Sequence, residues 1–115
     1  VGLLRTQGQL DSALVRVREM RAEIGERPSE SDHRFALSMQ DWFDMRNSLM
    51  IAETIIIGAQ IRTESRGAHQ REDFPLTDPS LEYNLVMRLD GDGFAVEPVP
   101  LVAKSYDLVT LEAAE

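Results

Sequence analysis

Between Leu10 and Ile24, apolar residues recur as Leu10, Ala13, Val17, Met20 and Ile24, the three-four spacing of a helix seam, with Leu14 widening the stripe. The opposite face carries Asp11, Arg16, Arg18, Glu19 and Glu23, so the pattern predicts an amphipathic helix over 10–24. Gly25 and Pro28 supply its stop, and Gly25 to Ser31 read as a connector. A longer seam follows through Phe35, Met39, Trp42, Met45, Leu49, Ala52, Ile56 and Ala59. Ser31 or Asp32 can cap its free amides, and no Pro interrupts it before Pro75. The spacing predicts a helix over 32–66 that ends at Gly67, a residue type that tolerates the left-handed conformation at a helix C-terminus. Such a rod is about 50 Å long, and the first helix covers only about half of it.

In the stretch Leu49 to Ile61, Met50, Ile51, Ile55, Ile57 and Ile61 add apolar surface outside the seam. A helix that is apolar nearly all round is normally buried on several sides. Ile51, Ile55 and Ile57, with Glu53 among them, are therefore candidates for a buried interface whose partner lies outside this sequence. Gly58 inside the run costs about 1 kcal/mol of helix propensity relative to Ala, which suggests a close helix or backbone approach there.

Residues 67–80 read as a loop, with Pro75, Asp78 and Pro79 marking an irregular link. From Tyr83 to Leu89 the pattern alternates, with Tyr83, Leu85, Met87 and Leu89 on one face. Asp90-Gly91-Asp92-Gly93 is a turn signal before Phe94 to Val99, so a hairpin over about 83–99 is expected, with a tail over 100–115. Pro98 and Pro100 confine the second strand to an edge or end it, and Leu111 to Glu115 are expected to fray. The fold class is mainly α: an antiparallel helical bundle followed by a C-terminal β-hairpin.

Composition narrows the chemistry. A chain of 115 residues makes one domain with a modest core. A net charge of −8 disfavours a nucleic-acid surface, which needs clustered Arg and Lys. The absence of Cys excludes disulfides and thiolate ligation of zinc or iron-sulfur clusters. The most apolar window falls short of the roughly 20 residues of a membrane span. The chain begins at Val1 without an initiator Met, which reads as a processed product or a fragment. No Gly-rich dinucleotide fingerprint, phosphate loop or nucleophile elbow occurs, so no catalytic, cofactor-binding or metal residues are assigned.

The densest chemistry lies between Glu64 and Pro75, where two Arg, one His and three acids surround Gly67. As an anion site, Arg66, His69 and Arg71 would grip a carboxylate or phosphate, although Arg66 at a predicted helix C-terminus opposes anion binding. As a metal site, His69, Glu72 and Asp73 offer too few ligands. As a structural motif, Arg66 and Arg71 would pair with Glu64, Glu72, Asp73 or backbone carbonyls and fix a chain reversal, and this reading is preferred. Glu53 reads as a buried acid with a raised pKa, or as a residue on the helix's one polar side, or as the partner of an Arg from another element, since Arg46 and Arg62 lie at other angles. His33 is expected to be solvated, and Trp42 and Phe43 to be core.

The run Glu64-Ser65-Arg66-Gly67-Ala68-His69, one residue, Arg71, one residue, Asp73 resembles the loop that closes the helical region of succinate dehydrogenase and fumarate reductase flavoprotein subunits. Arg46 to Glu53 is similar to the helix before that loop, the hairpin to the family's closing strand pair, and Val1 to Arg5 to the end of the region's first helix. The resemblance implies a parent with an FAD-binding domain, a mobile capping domain and this C-terminal domain, a three-helix unit of spectrin-repeat type whose first helix is largely missing here. In such parents succinate and fumarate are interconverted by hydride transfer at the flavin, with catalytic His and Arg residues from the first two domains. Arg66, His69 and Arg71 match no catalytic position. Leu81-Glu82-Tyr83-Asn84-Leu85 departs from the Trp and Lys-His-Thr-like run usual there. L-aspartate oxidases share Ser-Arg-Gly but tend to carry Leu in place of Ala68, which argues against that branch, and adenylylsulfate reductase is a more distant relative.

The expected role is that of a structural domain, not catalytic alone and without cofactor, in a parent that holds FAD. Glu64, Ser65, Arg66, Gly67, His69, Arg71 and Asp73 would form its structural or interface motif. Expected partners are the FAD-binding and capping domains of the same polypeptide and an iron-sulfur subunit, without nucleic acid or a membrane span. The place would be cytoplasmic, at the inner face of the membrane through partner subunits. The isolated fragment is expected to self-associate. The alternative is a free-standing helical interaction module that self-associates through Leu49 to Ile61.

Overall fold

A computed structural model describes residues 2–26 and 37–102, and the expectations for Pro28, Ser31, Asp32, His33, Phe35 and the end of the tail lie outside the described residues. The first element is a two-residue strand, β1 (Leu4–Arg5), which leads directly into helix α1 (Gln7–Ile24). Thr6 caps α1: its hydroxyl accepts the Gln9 N–H, and the Gln9 side chain returns a bond to the Thr6 N–H. This reciprocal pair satisfies two orphan amides and starts the helix three residues before the apolar seam. At the other end Gly25, at φ +67°, bonds its N–H to the Ala22 carbonyl.

Helix α2 (Leu37–Ile61) returns antiparallel to α1. Pairs along the two helices fix the direction: Asp11 accepts from Gln60 at 2.7 Å, Arg18 donates to Glu53 at 2.8 Å, and the Trp42 indole donates to the Ile24 carbonyl at 3.2 Å. The core lies between them and is small. Leu10, Ile56 and Ala59 are buried with Ala13, Leu14 and Val17 packed against them, and Leu49 is buried further along α2. Because α1 ends opposite Trp42, the seam residue Met39 has nothing from α1 over it and is exposed. Met45 and Phe43 are exposed as well, which corrects their expected core positions; Phe43 meets Trp42 edge-on at 4.9 Å.

The second helix stops at Ile61, well before Gly67. Arg62 still donates its N–H to the Gly58 carbonyl, but the Ala59 carbonyl, the acceptor for residue 63 in a continuing helix, is taken by the Arg71 guanidinium at 2.7 Å. Gly67 serves a different turn. Arg66 and His69 exchange both backbone hydrogen bonds, and Gly67 sits at φ +56° as the first central residue of a two-residue reversal, the place where a type II′ turn needs Gly. The returning chain forms β2 (Gln70–Arg71), which pairs in parallel with β1. Leu4–Arg5 is thus a strand, not the end of a preceding helix.

Past a 3-10 turn at Pro79–Leu81, strands β3 (Tyr83–Asp90) and β4 (Gly93–Pro100) form an antiparallel hairpin closed by Gly91-Asp92, with Gly91 at φ +57°. The pair flanking a two-residue turn is hydrogen-bonded and the pairs alternate from there, so Pro98 opposite Leu85 and Pro100 opposite Tyr83 fall at non-hydrogen-bonded positions. Their missing N–H groups face away from β3, so the strand runs through both prolines and its outer edge resists further pairing. Tyr83, Leu85 and Met87 are half-buried, while Leu89 near the turn is exposed.

Met87 explains Gly58. A Cβ at Gly58 would lie 2.7 Å from Met87 Cε, so the hairpin lies against α2 at the point where α2 has no side chain. Gly58→Ala gains about 1 kcal/mol of helix propensity and pushes against a flexible side chain, giving an expected net change within about 1 kcal/mol. Gly58→Ala combined with Met87→Ala should show positive coupling in a double-mutant cycle by thermal unfolding.

Candidate functional site

The loop from Arg62 to Asp78 is organised around two carboxylates. Asp73 and Arg71 form a two-pronged ion pair, Nε to Oδ1 at 2.7 Å and Nη2 to Oδ2 at 2.8 Å. Arg71 is 1 % exposed; its other donors reach the Ala59 carbonyl and Gln7 Oε1 at 3.0 Å, and its Cζ lies 4.9 Å from the centre of the Phe74 ring. Asp73 also accepts the Gln7 N–H at 2.8 Å. Since the helices are antiparallel, the first amide of α1 and the last carbonyls of α2 lie at one end. The pair therefore sets an anion at a helix N-terminus and a cation at a helix C-terminus, the favourable sense for both dipoles. Arg71, not Arg66, is the arginine at the end of α2. The Arg71 hydrogen bonds hold the Asp73 carboxyl well below the usual carboxylate range, with the Gln7 amide helping.

Glu64 is fully buried and accepts from Arg62 at 2.7 Å, from Arg66 at 2.9 Å and from the Asp78 N–H at 2.8 Å. The Arg66 hydrogen bond is the chief cause that brings its pKa to about 2, against burial that raises it. Arg62 carries the network into the hairpin, donating to the Leu81 carbonyl at 2.9 Å and the Tyr83 carbonyl at 2.7 Å, over the face of Tyr83. Ser65 ties the loop shut: its hydroxyl accepts the Arg71 N–H and donates to the Phe74 carbonyl, while its own carbonyl accepts from Thr77. His69 contacts Arg5 through Nδ1 and the Arg62 carbonyl through Nε2. Glu72 enters by its backbone, donating to the Arg5 carbonyl at 2.9 Å. Among the described residues no buried side-chain nitrogen or oxygen lacks a partner, and no group of His, Asp and Glu is arranged to hold a metal ion.

Glu53 stands apart, 2 % exposed on α2 and gripped by Arg18 and Arg21 of α1. Burial pushes its carboxyl up, but the hydrogen bonds from Arg18 and Arg21 outweigh it, and the pKa is lowered. Of the readings the sequence allowed, the Arg partner from another element holds and the raised pKa does not, because α1 supplies two cations one turn apart. Glu53 is also buried within the chain itself. Both arginines reach solvent and turn to water if Glu53 is removed, so Glu53→Leu should unfold within about 1 kcal/mol of the parent chain in urea, whereas Glu53→Ala, which leaves a cavity, should lose about 2 kcal/mol. Of the other interface candidates, Ile57 is half-buried, and Ile51 and Ile55 are 56 % and 58 % exposed.

Sequence reasoning missed Arg5, Gln7 and Arg62 as members of the site. Thr6-x-x-Gln9 was a readable helix start that places Gln7 at the first turn. Arg5 and Arg62 carried no such signal, since the His69 ring that joins them lies 64 and 7 residues away.

Residues 1–104 match the family profile described as fumarate reductase flavoprotein C-term. The chain belongs to this family. It is 30% identical over 87 residues to a polypeptide of the fumarate reductase (CoM/CoB) of Methanothermobacter marburgensis, covering 76% of this chain and 16% of that protein. It is 40% identical over 75 residues to the L-aspartate oxidase of Pseudomonas aeruginosa, covering 65% of this chain and 13% of that one. Fumarate reductases and aspartate oxidases thus both stand among the relatives of this chain. Among solved structures, the Mycobacterium smegmatis Sdh1 complex in the apo form matches with a TM-score of 0.76 and 29% identity, over 86% of this chain and 18% of that one. The same organism's Sdh1 in complex with UQ1 gives 0.78 and 28%, over 89% and 18%. The chain spans less than a fifth of the length of each of these proteins. The domain of fumarate reductase flavoprotein type is thus a pair of antiparallel helices with a C-terminal hairpin, joined by a loop in which Glu64 pairs with Arg62 and Arg66, and Asp73 with Arg71.

Proposed function

We propose that this domain is the structural C-terminal part of an FAD-dependent oxidoreductase of the succinate dehydrogenase and fumarate reductase type, bracing the flavin domain and subunit contacts without catalysing alone. The observation that supports it is the division of labour in the chain. The motif loop spends Glu64, Arg66, Arg71 and Asp73 internally, on one another and on the ends of α1 and α2, while α2 leaves Ile51 and Ile55 uncovered by the described residues, turned about 100–140° around the helix from Ile56. A loop of that kind fixes a shape, and an uncovered apolar stripe marks where that shape meets another surface. The FAD-binding and capping domains of the same polypeptide are the intended cover, and a further partner is an iron-sulfur subunit. Within this reading the helix pair is what remains of a three-helix, spectrin-repeat-like unit, and the residues of the loop act as a docking corner. FAD and the dicarboxylate belong to the parent's other domains. No helix among the described residues is long and apolar enough to cross a membrane, and a place at the inner membrane face would come through partner subunits.

The test is the purified 115-residue chain, assayed for flavin absorbance and for succinate-dependent dye reduction. Neither should exceed the buffer control; bound flavin or turnover in the isolated chain overturns the reading. The same stripe predicts concentration-dependent self-association of the isolated chain by analytical ultracentrifugation, weakened by Ile51→Ser with Ile55→Ser.

A further inference from the structure

His69 sits where the end of α2, the motif turn and the β1–β2 ladder meet. Its two ring nitrogens touch partners that leave no choice of protonation. The Arg5 guanidinium, which only donates, lies 3.1 Å from Nδ1, and the Arg62 carbonyl, which only accepts, lies 3.1 Å from Nε2. Both bonds exist together only in the neutral ring with its hydrogen on Nε2.

The surroundings oppose a second proton. Among the described residues, the charged groups facing the ring are Arg5 from β1, Arg62 from the end of α2 and Arg71 from β2, all cations. The nearby loop carboxylates are spent elsewhere, Glu64 on Arg62 and Arg66 and Asp73 on Arg71. Burial first, and these three charges with it, hold the His69 pKa below its ordinary 6.5, although the Arg62 carbonyl favours the charged ring.

What the ring fastens is slight. β1 is two residues long, with Leu3 and Leu4 exposed. It is held by its pairing with β2, by the Glu72 N–H on the Arg5 carbonyl at 2.9 Å, and by the Arg5 side chain on His69. α1 has separate fastenings in the Thr6 cap and the Asp73 bond to Gln7.

We propose that His69 is a proton-sensitive pin: its neutral ring fastens the β1 strap to the motif loop, and a proton on Nδ1 removes the acceptor that Arg5 uses and frees the strap while α1 stays in place. The inference rests on the geometry of this chain and not on the proposed enzyme context.

The test is ring-nitrogen NMR of the full 115-residue chain between about pH 8 and about pH 5, with His33→Gln assigning the second histidine, alongside amide exchange of Glu72 corrected for its intrinsic pH dependence. The expected result is an Nε2–H ring at the upper end, a His69 midpoint below 6.5, and a loss of Glu72 protection of about tenfold following that midpoint while the Leu10 amide is unchanged. Arg5→Met should lower Glu72 protection at the upper end and remove its pH dependence. A hydrogen on Nδ1, a midpoint at or above 6.5, or Glu72 protection that stays level through the His69 titration overturns the proposal.

Discussion

Replacing Arg71 with Met should lower the unfolding free energy of the chain by about 3–5 kcal/mol, measured by urea denaturation at neutral pH. The size follows from what one side chain does. Arg71 is buried, and its guanidinium holds both oxygens of Asp73, the Ala59 carbonyl at the end of α2, and Gln7 at the start of α1. Met fills much of the volume but leaves a helix-end carbonyl without a donor and a carboxylate without its counter-charge. Against a typical domain stability of about 5–15 kcal/mol, the loss reaches a large share of the total. Arg71→Lys separates charge from geometry. An ammonium is a point charge that cannot span Asp73 and Ala59 together, so it should restore less than half of the loss. Full rescue by Lys would show that charge alone matters and that the two-helix clamp is misread.

Glu64→Gln should give the second-largest effect, with a pH signature of its own. The carboxylate is fully buried, with three donors on it, and its pKa falls to about 2 from an ordinary 4.5. A group with a depressed folded pKa contributes stability that is present above the unfolded value and lost as pH falls through the folded one. The melting temperature of Glu64→Gln should therefore lie well below that of the parent chain above pH 4.5, and the gap should narrow steadily as pH falls toward 2. Asp73, also depressed, remains in the variant, so the acid-side slope should shrink without vanishing. A gap that is constant with pH would mean that the Gln loses packing, not charge.

Periodicity made the helix pair legible, because a seam of Leu10, Ala13, Val17 and its answer in Leu49, Ile56 and Ala59 needs only local spacing and burial. The hairpin was legible because Asp90-Gly91-Asp92-Gly93 supplies the positive φ that its turn requires. The end of α2 was not legible. It is set by Arg71 taking the Ala59 carbonyl from twelve residues away, and local rules point instead to Gly67, whose positive φ serves the Arg66–His69 reversal. β1 escaped for the same reason, since a two-residue strand has no period and exists only through its partner at Gln70–Arg71.

At the site, the types of residue were legible and the pairings were not. The density of charge between Glu64 and Asp73 marks a built structure, yet which Arg meets which acid depends on the antiparallel helices bringing Gln7 and Ala59 to one place. Glu53 shows the same limit. Helical angles excluded Arg46 and Arg62 and left a partner from another element, but which cations of α1 meet it is fixed only when the helices pack, and they lower its pKa. The exposure of Ile51 and Ile55 is the complementary case, where a local apolar excess persists because nothing among the described residues covers it.

The most direct test of the central claim, that this domain is one part of a larger flavoenzyme, is the mass and visible spectrum of the native polypeptide captured by an antibody raised against this chain. The 87 matched residues are 16% of the Methanothermobacter protein, which makes that polypeptide about 540 residues long, or about 60 kDa at this chain's 13.0 kDa per 115 residues. The account predicts a captured species of about that size carrying flavin absorbance. A flavin-free polypeptide of 13.0 kDa would contradict it and point to the free-standing interaction module.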